Sequence, residues 1–189
     1  MPAHQKIFEN IQKKVDKSSK DLAEERGACP DAAEYGFKER FSNKTAIAPT
    51  ASISIICGGA SPGVEPIAAN SYTHKTLSGS FNVRNKYLKK LLRKYEKDTN
   101  EVWSSITTNQ GSVSHLDFLT AEEKDTFKTA FEIDQRWVVE LGADRTPHIS
   151  QAQSVNIFIP ADIHKKDLHD LHFQAWKKGL KSLYYCRSK

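Results

Sequence analysis

Apolar residues at Ile7, Phe8, Ile11, Val15 and Leu22 recur mostly at helical spacing in a segment otherwise rich in Lys, Asp, Glu, Gln and Ser. That pattern predicts an amphipathic surface helix, with Gly27 and Pro30 punctuating its end. The same period returns after Lys86, where Tyr87, Leu88, Leu91, Leu92 and Tyr95 mark one face of a charged helix. A further helix is expected after Leu119, because Thr120 followed by Glu123 has the spacing of a capping box. It is predicted to run past Phe127, Phe131, Asp134, Trp137, Val138 and Leu141, with Gly142 placed to end or kink it.

The period then changes. SVNIFIP at 154–160 places Val155, Ile157 and Ile159 alternately before Pro160, which is a strand pattern. Ala161 to Gly179 returns to helical spacing, with Ile163, Leu168, Leu171, Ala175 and Trp176 facing inward, and LKSLYYC is a second short strand candidate. Strand, helix and strand in this order make a βαβ unit, so the predicted class is α/β with a parallel pair. One such unit cannot cover both faces of a sheet, and no other clear strand series completes one, so the fold is expected to be incomplete alone. Between the helical regions, NKTAIAPTASIS leads into IICGGASPGVEP, whose glycines and prolines predict a structured loop.

Composition narrows the class. Hydrophobic residues make up 38% and charged residues 27% of the 189 positions, which is a globular mixture rather than a disordered one. The longest apolar-leaning run, AIAPTASISIICGGASPG, is interrupted by prolines and glycines and makes a poor spanning helix. The first residues lack the apolar block of a signal peptide. No membrane and a cytoplasmic location are therefore expected. The net charge of +5 is spread among acidic residues, with KYLKKLLRKYEK as a local basic patch, so no nucleic-acid partner is expected. Cys29, Cys57 and Cys186 are odd in number and form no CxxC pair, which argues against a disulfide framework and a cysteine-built zinc site.

Two stretches carry candidate chemistry. In APTASIS, Thr50, Ser52 and Ser54 offer hydroxyls, and small side chains leave backbone amides open. The stretch either holds an anion such as phosphate or is a turn capped by its own Ser and Thr side chains. The adjacent Tyr184 and Tyr185 would point to opposite faces of a regular strand, one ring buried and one at an edge. A redox role requires the backbone to leave that path so that the rings approach. Arg187 beside them is either a solvated arginine or an electrostatic influence on the pair. His169 and His172 share a helix face, but no third ligand joins them, so no metal is expected.

The order of these fragments carries a resemblance. QKKVDKSSKDLAEERGACP, NKTAIAPTASISIICGGASPGVEP, ANSYTHKTLSG, ADRTPHISQAQSVNIFIP and HFQAWKKGLKSLYYCRS resemble, in that order, the C-terminal part of the large, catalytic subunit of aerobic class I ribonucleoside-diphosphate reductase. The resemblance implies that 1–189 is the C-terminal portion of a ten-stranded α/β barrel. Within it, 1–42 would be a helical segment, 43–66 the substrate-phosphate loop region, and 154–189 the strand–helix–strand unit ending in the tyrosine pair. Pro49, Thr50, Ala51, Ser52 and Ile53 would cradle the substrate diphosphate. Tyr184 would exchange an electron and a proton with the catalytic thiol, and Tyr185 would pass the radical between Tyr184 and the small subunit. Cys186 would be structural.

The family's thiyl-forming cysteine, its neighbouring Asn and Glu, and its reducing dithiol pair all lie before the region of resemblance, and Cys29 and Cys57 do not replace them. The implied partners are the missing N-terminal part of the large subunit, a small radical-generating subunit and a ribonucleoside diphosphate. No cofactor is expected on this chain. The assembled enzyme would draw on a metal-radical cofactor in the small subunit and a thioredoxin- or glutaredoxin-type reductant. Without those partners the chain is expected to be inactive. The alternative is a non-catalytic truncated fragment that binds a reductase subunit without turnover.

Overall fold

A computed structural model describes residues 3–77 and 79–189. In chain order the helices are α1 (Ala3–Arg26), α2 (Pro30–Glu34), α3 (Ala51–Ile56), α4 (Lys86–Lys94), α5 (Asn100–Thr108), α6 (Ala121–Thr126), α7 (Gln135–Arg145) and α8 (Lys165–Lys177). The strands are β1 (Ser71–Thr76), β2 (Gly79–Arg84), β3 (Ile157–Ile159) and β4 (Cys186–Ser188). Two compact units divide the chain. The first takes the described part of Met1–Pro49 with Gln135–Ile157 and Asp162–Arg187; the second takes Thr50–Asp134, Phe158–Ala161 and Ser188–Lys189.

In the first unit, Val139 of α7, Ile157, and Leu171 and Ala175 of α8 are buried together, with Leu168, Leu180 and Leu183 packed around them. Gly142 was expected to end or kink its helix, yet α7 continues to Arg145. A methyl group at 142 would lie 3.2 Å from Leu180 Cδ2 and 3.6 Å from Val155 Cγ2, so the glycine allows close packing rather than termination. On α1 the expected apolar stripe is only partly used. Ile7 and Ile11 are exposed, whereas Ser19 and Ala23 are buried. Lys44, from the segment after α2, reaches Asp16 of α1 at 2.6 Å and Glu39 at 3.4 Å.

In the second unit, α4 presents Leu88 and Leu92 to Trp103 and Ile106 of α5, and Val113, Leu116 and Leu119 close the cluster. These four helix side chains are at most 1% exposed, and each such burial stabilises the fold by about 1.5–3 kcal/mol. Asn85 caps α4 by accepting from the Tyr87 and Leu88 amides. The β1–β2 hairpin is antiparallel, with Tyr72 opposite Val83 and His74 opposite Phe81, and it went unseen in the sequence. The β2 side chains are exposed or half-buried, so no buried face imposed an apolar alternation there.

The continuous helix expected from Thr120 to Leu141 is two helices. The capping box at Thr120 and Glu123 is present, but α6 ends at Thr126. Beyond it the Ala130 amide donates to the Ile67 carbonyl at 2.9 Å, and the Thr129 amide donates to the Glu132 carboxylate at 2.8 Å. Backbone groups that a helix would pair internally are thus bonded to other partners. The helix expected over Ala161–Gly179 is shorter, with His164 as its N-cap, and Trp176, expected inward, is 72% exposed. Among the described residues no helix is long and apolar enough to cross a membrane.

Candidate functional site

The tyrosine pair lies in the first unit, on the segment that joins α8 to β4. The second strand was expected over LKSLYYC, but β4 begins only at Cys186. The chain before it nevertheless pairs with the 155–157 segment. The Tyr184 amide donates to the Val155 carbonyl at 2.8 Å, and the Ile157 amide donates to the Tyr185 carbonyl at 2.9 Å. Both partners advance in the same direction, so the pairing is parallel. In a regular parallel ladder one residue both donates to and accepts from the facing strand. Here Tyr184 donates and Tyr185 accepts, so two residues oppose Asn156, the arrangement of a β-bulge.

The bulge explains how adjacent tyrosines meet. Strand alternation would send their rings to opposite faces, but their centroids are 4.1 Å apart at an interplanar angle of 54°. The hydroxyl oxygens are 3.5 Å apart, longer than a strong O–H···O bond. The neighbouring Tyr185 hydroxyl is the main cause holding the Tyr184 phenol above its usual range, and Arg187 pulls the other way. The Arg187 guanidinium carbon lies 5.3 Å from the Tyr185 ring centroid. Both rings are about half exposed.

Pro49 closes a segment of the first unit and Thr50 opens the second, so the expected phosphate-loop residues are divided between the two. The chain leading to Pro49 is held by Ile47, whose amide donates to the Ala152 carbonyl at 3.2 Å and whose carbonyl accepts from the Ser154 amide at 2.8 Å. In the second unit, the Thr50 amide and hydroxyl both donate to the Pro62 carbonyl at 3.0 Å. Helix α3 follows at Ala51 and continues through Ile56, past the point where the glycine-rich loop was expected to begin. The Ser54 hydroxyl donates back to the Ala51 carbonyl at 2.9 Å, and Ser54 is buried while Ala51, Ser52 and Ile53 are exposed. The available donors at this helix start are therefore first-turn amides, which lack intrahelical acceptors, and the Ser52 hydroxyl. Thr50 directs its proton to Pro62.

The remaining candidates have local roles. His164 accepts from the Lys166 amide as the α8 cap, His172 Nδ1 lies 2.8 Å from the Leu168 carbonyl, and His169 stacks on Phe173. Among the described residues no three His, Cys, Asp or Glu side chains converge as a metal site. Cys57 and Cys186 are exposed free thiols and Cys29 is half-buried. Sequence reading expected this segment to pair in parallel with SVNIFIP but missed the bulge opposite Asn156, because nothing local to YYC announces a one-residue offset in the ladder.

Comparison with known proteins matches residues 31–186 to the family described as the ribonucleotide reductase barrel domain. The ribonucleoside-diphosphate reductase large subunit of Invertebrate iridescent virus 6 is 50% identical over 187 residues, covering 97% of this chain and 19% of that protein. The large subunit of Invertebrate iridescent virus 3 is 45% identical, with 100% of this chain and 31% of the relative covered. Among solved structures, the Actinobacillus ureae class Id ribonucleotide reductase alpha subunit is similar with a TM-score of 0.88 and 40% identity, over 98% of this chain and 34% of that one. The chain spans a third or less of the length of the viral relatives.

Proposed function

Because the chain belongs to the family of ribonucleotide reductase large-subunit barrel domains, we propose that it takes part in reducing ribonucleoside diphosphates to deoxyribonucleoside diphosphates as a component of an assembled reductase. Its α/β fold is part of that barrel domain. The observation that carries the proposal is the bulge that brings Tyr184 and Tyr185 together with hydroxyls 3.5 Å apart. A phenol suits radical transfer because its hydroxyl can release and accept a proton as the ring loses and regains an electron.

In the proposed step, a Tyr185 radical takes an electron from the Tyr184 phenol while the proton passes from Tyr184 Oη to Tyr185 Oη. Tyr184 then draws an electron and a proton from a cysteine thiol in the remainder of the large subunit. Tyr185 receives its oxidising equivalent from the small subunit, which holds the metal-radical cofactor. A thioredoxin- or glutaredoxin-type dithiol supplies the reducing electrons. Region 43–66 serves the substrate, with first-turn amides after Pro49 and Thr50, from Ala51 to Ile53, and the Ser52 hydroxyl receiving the diphosphate. The exposed Ile53, Ile55 and Ile56 side chains then face other parts of the barrel, and the assembly works in the cytoplasm.

The test combines the chain with the remainder of the large subunit and the small subunit, then measures ribonucleoside diphosphate reduction. Tyr184→Phe and Tyr185→Phe should each abolish turnover while assembly, followed by size analysis, persists. Full turnover by either variant refutes the relay for that residue. Assembly of the unsubstituted chain without any turnover would favour the non-catalytic fragment instead.

A further inference from the structure

Arg187 follows the bulge by two residues, where strand alternation has resumed. Residues two apart on a strand share a face, and this places the guanidinium over Tyr185, with its carbon 5.3 Å from the ring centroid. That lies within the range in which an arginine is attracted to the electron-rich face of a tyrosine. No carboxylate is paired with Arg187 among the described residues, so its charge is not compensated by a bound anionic side chain. Tyr184 has Tyr185 against its ring, and the recorded cation contact is to Tyr185. The two phenols are chemically identical but electrostatically unequal.

We propose that Arg187 is a positioning residue that biases radical exchange within the pair, making Tyr185 the harder phenol to oxidise and driving the radical toward Tyr184. This rests on the relay reading and adds a direction to it. The attraction between a cation and an aromatic face depends on the π-electron density of the reduced ring. Removing an electron from Tyr185 weakens that attraction, whereas removing one from Tyr184 leaves it intact. A Tyr185 radical therefore accepts an electron from the Tyr184 phenol, with the proton moving from Tyr184 Oη to Tyr185 Oη, and the guanidinium contact is restored in the products. Nothing is consumed in the step, and the cation only displaces its equilibrium.

The bias can be read on the full chain without the rest of the reductase. Tyr35, Tyr72, Tyr87 and Tyr95 are replaced by Phe, ring-deuterated tyrosine is placed at 185, and the chain is oxidised by a flash-generated ruthenium oxidant. The electron paramagnetic resonance line shape then gives the ratio of radical on Tyr184 to radical on Tyr185. With Arg187 present the ratio should favour Tyr184. Arg187→Gln should lower it by about two- to fivefold, the range expected for an exposed cation–aromatic contact, and Arg187→Lys should restore most of it. An unchanged ratio in Arg187→Gln, or equal ratios in the Gln and Lys variants, overturns the role of Arg187 while the relay stands. Failure of the radical to exchange between the two tyrosines overturns both.

Discussion

Replacing Asn70 by Asp exchanges one amide group for one oxygen at a buried, hydrogen-bonded side chain of the second unit. Asn70 is 1% exposed. Its Nδ2 donates to the Gly111 carbonyl at 3.0 Å and the Phe127 carbonyl at 2.7 Å, while its Oδ1 accepts from Asn85 Nδ2 at 2.8 Å. Two carbonyls on one side and an amide on the other settle which atom is nitrogen. Asn70→Asp removes two hydrogen bonds of about 1 kcal/mol each and sets a carboxylate oxygen against two carbonyl oxygens. With the cost of a poorly compensated buried charge, the loss should be about 3–5 kcal/mol at neutral pH. That is a large share of the roughly 5–15 kcal/mol by which domains are stable.

The loss should depend on pH. Burial among acceptors raises the introduced carboxyl's pKa in the folded state, so protonation favours folding of the variant. Its penalty is smallest below the unfolded-state value and grows as pH rises through the folded-state value. Urea unfolding followed by tryptophan fluorescence measures this. Trp103 is 1% exposed, whereas Trp137 and Trp176 are 63% and 72% exposed, so the spectral shift reports chiefly on the second unit. A loss below about 1 kcal/mol at neutral pH, or a penalty that widens on acidification, would refute the reasoning.

Gly111 has φ +83°, and a methyl group there would press on Ala69 and come within 2.9 Å of the Asn70 amide nitrogen; Gly111→Ala should cost about 2–5 kcal/mol in the same urea assay. Glu123 accepts from the Thr120 amide, the main cause of its lowered pKa, and from the Tyr95 hydroxyl. A depressed folded-state pKa gives stability that is present above the unfolded value and lost as pH falls through the folded one, so Glu123→Gln should flatten the acid limb of an unfolding-midpoint titration; an equally steep limb would exclude Glu123 as a contributor. Ser52→Glu should weaken nucleoside diphosphate binding to the assembled large subunit by about tenfold or more through charge repulsion, read by calorimetry, and unchanged affinity would reject the contact.

What the sequence revealed tracks how local each signal is. Helix α4 was legible because Leu88, Leu91 and Leu92 repeat on one face and two of them are fully buried. The Thr120–Glu123 box was legible because both partners lie within one turn. The break between α6 and α7 was not, since it depends on the Ala130 amide bonding to Ile67, a residue far back in the chain. Helix α5 was overlooked because Val102, Trp103 and Ile106 are its only apolar residues. On α8 the periodic rule assigned Trp176 inward, but the buried positions are Leu171 and Ala175. Spacing identifies an apolar face; it does not say how wide a stripe the neighbouring elements cover.

The tyrosine pair shows the same division within a single dipeptide. Both phenols are visible in the sequence, but their relation is not, because regular strand geometry would separate them. Their proximity depends on the one-residue offset between the bond to Val155 and the bond from Ile157. A bulge of this kind re-aims side chains next to functional sites, and here it turns two independent aromatic positions into a unit with facing hydroxyls. It also settles what the pair lacks. Each ring is about half exposed, so water can reach the phenols and a radical on either could be lost to solvent. On the relay reading the bulge supplies distance and Arg187 supplies direction, but exclusion of water has to come from surfaces brought to the pair by assembly.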